Sequence, residues 1–385
     1  MARSRLVPPA STDRTGTAAL RAEVRAFLTA QLSAGSFVPT VDAWLCGWDE
    51  DFTKALAEHG YLGMTVPREY GGHGRSHIER FVVTEELLAA GAPVAAHWIA
   101  DRQIVPALLK NGTEAQKREF LPKIAAGDCF FGIGMSEPDS GSDLASVRTK
   151  ATPVAGGWAL TGTKVWTSGA HRGHAFIVLA RTAPVDPAHR HAGLSQFIVR
   201  FDGPGVQVRP IVSMNGGHHF NEVILDEAFV AEDMVFGEIG NGWQQVTSEL
   251  AFERSGPERF LSTFVLLDVC AEHTAAQRFP RNEDLGRLVA RIAGLHQMSS
   301  AVAGALQRHE PADVPAAVVK VLGTTTEGDI AEFAHLALDS AVDGEFSTMF
   351  STMATAAVDQ RPGFTLRGGT NEVLRGVIAR GLGIR

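Results

Sequence analysis

A chain of 385 residues, 45% hydrophobic and 20% charged, has enough apolar surface to bury a large core in two or three domains. A net charge of −8, with no Lys/Arg-rich run, excludes nucleic acid as a default partner. The three scattered cysteines, Cys46, Cys129 and Cys270, make neither a disulfide framework nor a zinc site, which points to a reducing cytoplasm.

In chain order, residues 1–14 read as a flexible leader without a signal-peptide apolar stretch, and no apolar run reaches membrane-spanning length. From Thr17 onward Leu20, Val24, Phe27, Leu28 and Leu32 share one helical face. Asp49–His59 predicts another helix, with Phe52 and Leu56 inward and Gly60 at its C-terminal end. The Gly- and Pro-rich segment 61–72 is irregular. Helical periodicity resumes at Ile78, Phe81, Val82, Glu85 and Leu88, and again over Val94–Lys110, with Pro106 inside. Thr113 suits the N-cap of a short helix Glu114–Leu121. Residues 15–127 therefore read as an N-terminal helical domain.

The pattern changes at Asp128. Strand signals follow at Phe130–Met135, Val147–Ala151, Trp158–Thr163, Ala175–Ala180, Ser195–Phe201, Val206–Ile211 and Phe220–Leu225. They predict a small β-barrel or sandwich over 128–239, with 183–193 as a surface loop. Helical patterns at 242–278, 282–308 and 312–340, plus a last helix from Thr370, predict a four-helix bundle over 240–385. The connection 341–368, with Phe346–Met353 inside it, has no assignable pattern. The fold class is α+β: helices, a β-domain, then helices.

The stretch with most chemical content runs from Phe131 to Ser168. Its first part, Gly132–Asp143, reads Gly-Ile-Gly-Met-Ser-Glu-Pro-Asp-Ser-Gly-Ser-Asp, a loop of hydroxyls and backbone N–H groups suited to anionic oxygens or the polar edge of a heterocycle. Its second part, Lys164–Ser168, reads Lys-Val-Trp-Thr-Ser and sets a flat indole beside a hydroxyl. From composition alone, a hairpin with a polar turn and one buried tryptophan accounts for the same residues.

These two parts, with Arg-Thr-Lys at 148–150 between them, resemble the flavin-binding signature of the acyl-CoA dehydrogenase family, and the order of elements along the chain matches that family too. The resemblance implies FAD as cofactor. Ile133, Met135, Ser136, Gly141 and Ser142 would line it, with Met135 and Ser136 at the pyrimidine edge and Ser142 between cofactor and thioester. Trp166 would lie against the ring and Ser168 near N5. Most members carry threonine at the positions of Ser136 and Ser168, and serine keeps the hydroxyl. Thr370 and Glu372, at the start of the last helix, would meet the dinucleotide.

The reaction implied is α,β-desaturation of an acyl thioester on CoA or a carrier protein, which needs a carboxylate base. The family's commoner base position immediately precedes a Gly-Thr near the C-terminus and is Gly368 here, which cannot act as a base. The alternative lies in a Leu-x-x-Glu-Arg pattern and falls on Glu253, with Arg254 beside it on the substrate side. Pro257 would remove the helical partner of the Glu253 carbonyl in a continuous helix. Two plainer accounts stand: a helix starting at Ser255 that leaves Glu253 on a loop, or a solvated ladder of Glu253, Arg254, Glu258 and Arg259. An Arg-x-Phe-Gly segment of many members is here Gln277–Pro280, and a Phe-Gly-Gly-x-Gly stretch before the last helix is missing.

His218 and His219 flank a strand without a third ligand group, so no metal is expected. His171, His174, His189 and His191 are loop histidines without an evident partner. No Gly-x-Gly-x-x-Gly after a strand, P-loop or Gly-x-Ser-x-Gly occurs, which removes the usual Rossmann, nucleotide triphosphatase and hydrolase readings. The expected partners are the acyl thioester and an electron acceptor such as an electron-transferring flavoprotein, in a homodimer, homotetramer or heteromer. The rival expectations are an oxidase or hydroxylase on the same fold, and a non-catalytic subunit completing the FAD site of a partner. DNA binding, found in one branch of the family, is disfavoured by the net charge.

Overall fold

The computed structural model describes residues 16–254, 256–275, 282–340 and 346–384, with the backbone alone at 249–253, 274–275, 282 and 340. The expected leader and the Gln277–Pro280 segment lie outside the described residues. The chain forms two compact units. One consists of 49–74 and 95–250; the other takes the chain up to Trp48, then Arg75–Val94 and everything from Ala251. The N-terminal helices are thus shared between the units.

The first unit is built on eight strands: β1 Phe131–Gly134, β2 Lys150–Val154, β3 Gly157–Lys164, β4 Ala175–Arg181, β5 Leu194–Arg200, β6 Val206–Ile211, β7 Phe220–Ala231 and β8 Val235–Phe236. They form one sheet in the order β6-β7-β3-β2-β4-β5-β8, with β1 parallel to β4. β4 is buried along its whole length, which explains its unbroken apolar reading. One sheet face packs Phe131, Ile177, Ile198 and Phe236 against Val105, Leu108, Phe120 and Ile124. Phe120 meets Phe131 edge-on at 5.2 Å. The other face gathers Phe176, Val178, Phe197 and Val199 with Leu160, Val223 and Leu225. Each of these large side chains contributes roughly 1.5–3 kcal/mol by burial.

Two strand expectations needed correction, and a further short strand was not expected. The β2 strand begins at Lys150 rather than Val147, because the N–H groups of Arg148 and Thr149 are bound by the Glu137 carboxylate at 2.6 and 2.9 Å instead of entering the ladder. The β7 strand runs on to Ala231. The two-residue β8, too short to leave a pattern, is pinned by Gln116, whose Nε2 donates to the carbonyls of Asp233 and Val235 at 2.7 and 2.8 Å.

The helices of this unit start where capping chemistry places them. Asp49 accepts from Phe52 N at 2.8 Å at the start of Glu50–Glu58, and Thr113 with Gln116 forms a capping box at Glu114–Ala125. The predicted helix over 94–110 is interrupted by a π turn at Ala100–Ile104. That wide turn precedes Pro106, whose missing N–H would otherwise leave the Arg102 carbonyl without its helical partner.

The second unit is helical. Thr17–Ser33 lies on His77–Ala89, where Arg21 and Arg25 meet Glu85 and Glu86. Asp313–Ser340 packs with Asn282–Gln307, Thr348–Leu366 and Asn371–Gly381. The predicted segment 242–278, described as far as Ala275, holds two helices, Gly242–Arg254 and Phe264–Ala275, with a 3-10 turn at Pro257–Arg259 between them. A helix, Thr348–Leu366, occupies the stretch without an assignable pattern. Its inward positions Phe350, Met353, Ala354, Ala357 and Phe364 do follow helical spacing, but two of the five are alanine and dilute the stripe.

Candidate active site

In the first unit the Gly132–Asp143 stretch leaves β1 and folds around a buried ion pair. Lys164, the last residue of β3, donates from Nζ to Glu137 Oε1 at 2.8 Å and to the Met135 carbonyl at 3.1 Å. Glu137 also takes the two backbone N–H bonds from Arg148 and Thr149, and its backbone pairs with that of Ser140. Burial works against the Glu137 carboxylate, but the charge and hydrogen bond of Lys164 and the backbone donors hold it below the ordinary glutamate range. Burial pushes the Lys164 ammonium down to about 8 despite its partner. This lock was missed by sequence reasoning, although both residues stand inside the quoted motif. A glutamate in a turn and a lysine at a strand end do not reveal that they are buried together.

The lock fixes the candidate residues around it. Ile133 sits in β1, partly buried against the helix-facing core. Met135 packs against the small cluster of Val147, Leu179, Leu194 and Val246. Gly141 and Ser142 are exposed, and a Cβ on Gly141 would meet nothing within 4 Å. The Ser136 carbonyl accepts from Val165 N at 2.9 Å, which fastens the loop to the second part of the motif. The hydroxyls of Ser136, Ser142 and Ser168 make no hydrogen bond within the described residues, and the buried Thr167 hydroxyl also lacks one.

Trp166 is displayed by a bulge. β3 and β7 pair as far as Lys164 opposite Val223, and pairing resumes with Thr167 opposite Asn221 through backbone bonds of 3.0 and 3.1 Å. Val165 and Trp166 therefore face Glu222 alone, and Trp166 takes φ of 62°. The extra residue turns the indole outward: it is 56% exposed, with its edge against Phe220 at 5.6 Å. An ordinary buried tryptophan is thus ruled out. A non-glycine residue in this left-handed backbone conformation is strained, which marks Trp166 as a candidate functional position.

In the second unit two segments far apart in sequence come together. Arg254, the last residue of Gly242–Arg254, donates from Nε to the Gly368 carbonyl at 3.3 Å. A Cβ at Gly369 would lie 3.2 Å from Arg254 Nη2. Glu253 therefore belongs to the final turn of a helix and not to a loop, while its side chain falls outside the described residues. Glu258 and Arg259 are each 2% exposed, so the solvated-ladder account fails for them. Gly368 has φ of +68°, and a Cβ there would stand 2.8 Å from Arg259 Nη2. Arg259 itself lies over the Trp44 ring at 5.1 Å.

Thr370 caps the last helix by accepting from Val373 N at 3.2 Å. Glu372 is exposed and faces Arg375 at 3.5 Å. Buried Lys320 steadies this helix start by donating to the Thr365 carbonyl and Asn371 Oδ1, both at 2.9 Å. No group of three or more metal-ligating side chains occurs among the described residues, and no helix there is long and apolar enough to cross a membrane.

An eight-stranded sheet domain, a glycine- and serine-rich loop locked beside an outward indole, and a helix end tied to a Gly-Gly-Thr turn are the parts that the resemblance to flavin-dependent dehydrogenases implies. The comparisons agree. The model for the acyl-CoA dehydrogenase N-terminal domain matches residues 16–128, and that for the middle domain matches 132–228. Acyl-CoA dehydrogenase IpdE1 of Mycobacterium tuberculosis is 35% identical over 380 residues, covering 93% of this chain and 95% of that protein. FadE29 of the same organism is 31% identical over 338 residues, covering 85% and 86%. Among solved structures, a steroid ACAD, Tcur3481-Tcur3483, superposes with a TM-score of 0.84 at 29% identity, covering 97% of this chain and 98% of that one. The ChsE4-ChsE5 complex from Mycobacterium tuberculosis gives 0.79 at 26%, covering 97% and 99%.

The chain belongs to the acyl-CoA dehydrogenase family. It is accordingly an oxidoreductase, and FAD is its cofactor. The residues of the first unit fit that group: an open indole face and three serine hydroxyls, without a hydrogen-bond partner among the described residues, stand on the two parts of the motif.

Proposed function

We propose that this protein carries out α,β-dehydrogenation of an acyl-CoA thioester, with Glu253 removing the α-proton. The observation that carries this reading is the bond from Arg254 to the Gly368 carbonyl. It sets the backbone of the helix end bearing Glu253 against the turn where other members keep their base. Met135 and Ser136 would hold the pyrimidine edge of the cofactor, Trp166 its ring face and Ser168 the region of N5. Ile133, Gly141 and Ser142 would complete that rim, and Thr370 and Glu372 would meet the dinucleotide. Bound there, FAD supplies the acceptor for the hydride from the substrate β-carbon. Glu253 takes the α-proton, and Arg254 orients the thioester. The functional domains would be 15–127, 128–239 and 240–385.

The test is anaerobic titration of the holoprotein with acyl-CoA thioesters while the flavin absorbance is followed. Glu253→Gln should retain FAD and lose bleaching; undiminished bleaching would remove Glu253 from the mechanism. Reoxidation by an electron-transferring flavoprotein, faster than by O₂, separates the dehydrogenase from the oxidase or hydroxylase alternative. A second reading, in which a different subunit completes the assembly, is favoured by the paired names of the two solved relatives and by the filling of the Gly368 position with Arg259. Recovery of full FAD content from the purified chain alone would count against it.

A further inference from the structure

Two of the histidines left without a role in the sequence, His171 and His218, come together around one buried side chain. Asn221, in β7, is fully buried and brackets the Trp166 bulge. Its backbone exchanges two bonds with Thr167, and its Nδ2 donates to the Thr167 carbonyl at 3.0 Å. The same Nδ2 lies 3.1 Å from His171 Nδ1, while Oδ1 lies 2.9 Å from His218 Nε2. The two imidazoles stack with centroids 4.0 Å apart at 23°.

Hydrogen-bond polarity fixes this arrangement. The Thr167 carbonyl can only accept, so the amide nitrogen of Asn221 must face it. His171 Nδ1 must then be an unprotonated acceptor, and His218 Nε2 must carry a proton. Protonating His171 Nδ1 sets two donors against each other. Turning the amide over to relieve that would set Asn221 Oδ1 against the Thr167 carbonyl. Among the described residues the charges acting on His171 come from His218, Arg172 and His219. The nearby Glu222 faces Arg209 at 3.9 Å. Partial burial, followed by the charges of His218 and Arg172, keeps the His171 pKa below the ordinary histidine value. The folded state therefore resists protonation there, and the arrangement is intact above that lowered pKa and lost as the pH falls through it.

We propose that Asn221, with the His171–His218 pair, is a positioning residue for the cofactor: it holds the Trp166–Ser168 bulge in its outward conformation only while His171 is neutral. This rests on the reading that Trp166 and Ser168 meet the flavin. The test is FAD affinity of the holoprotein, measured by recovery of free-flavin fluorescence on dilution at a series of pH values between about 8 and about 5. It runs in parallel with the emission of Trp166, taken as the difference from Trp166→Phe. In the wild type both should change together, FAD binding weakening about threefold or more as His171 becomes protonated.

His171→Phe keeps a stacking ring but cannot be protonated, and it should flatten both profiles. Asn221→Asp sets a carboxylate against the Thr167 carbonyl and favours protonated His171, so both transitions should move to higher pH. That movement is a readout which a merely structural role for Asn221 would not produce. If Trp166 emission follows the His171 titration while FAD affinity stays constant, the clamp stands and the flavin role of Trp166 falls. Profiles that are flat in the wild type, or unchanged in His171→Phe, overturn the clamp.

Discussion

Replacing Lys164 by Met tests how the Gly132–Asp143 loop is held. The Lys164 and Glu137 side chains are 0% and 6% exposed and meet at 2.8 Å. Methionine approximates the lysine stem, so packing changes little, but the Glu137 charge is left buried with only the Arg148 and Thr149 N–H groups. Removing one partner of such a pair costs about 3–5 kcal/mol. For a unit of this size that lowers the melting temperature by on the order of 10 °C. Glu137→Gln in the same chain removes the stranded charge, so the double variant should recover about 2 kcal/mol or more relative to additivity. The assay is a double-mutant cycle by urea unfolding at neutral pH, with FAD content measured on each variant. Strict additivity of the two single variants, or a Lys164→Met cost below about 1 kcal/mol, would refute the lock.

Three further outcomes follow from the same geometry. Gly368→Glu in a Glu253→Gln background should not restore flavin bleaching, because φ of +68° and Arg259 Nη2 at 2.8 Å exclude a side chain; restored bleaching would show that Arg259 yields readily. Glu327 is fully buried, and burial pushes its pKa up to about 7 although Arg367 and a bond from Ser262 pull the other way. The native state then binds more protons than the unfolded one between about 4.5 and about 7, so the stability Glu327 contributes at low pH is lost as pH rises through that window. Glu327→Gln should remove up to about 3 kcal/mol of that slope in urea melts at acid and alkaline ends; an unchanged slope would place the titration elsewhere. Gly134→Ala would set a Cβ 2.8 Å from the Phe176 ring, displacing β1 beside Met135. It should cost about 1–3 kcal/mol and lower FAD retention, measured by melting and flavin release.

What the sequence made legible was whatever depends on local spacing. Thr113, Asp49 and Thr370 cap helices because short polar side chains meet free N–H groups within three residues. The β4 and β5 strands were legible because burial on both faces makes an unbroken apolar run. What escaped depended on distant partners. The shortened β2 follows from a carboxylate eleven residues earlier in the chain, at Glu137. The outward turn of Trp166 depends on a one-residue mismatch with β7 that neither strand carries in its own pattern. His171 and His218 had no evident partner because Asn221 joins them only through that pairing.

The proposed base at the helix end, instead of one at position 368, is consistent with the packing around it. A glycine in left-handed conformation lets the buried guanidinium of Arg259 approach the turn, where it stacks on Trp44. Any side chain at 368 would have to displace that arginine from an environment nearly closed to water. Arg254 binds the carbonyl of the same glycine, so the turn is held from the helix that carries Glu253. Glycine at 368 and the helix end at 253–254 are therefore parts of one arrangement: the residue that cannot be a base supplies the carbonyl that anchors the helix of the proposed base. Loss of Arg254 should accordingly impair proton abstraction more than FAD content. Arg254→Met with intact flavin absorbance but slowed bleaching would support that order of dependence, while parallel loss of FAD and bleaching would make the arginine a cofactor-site residue instead.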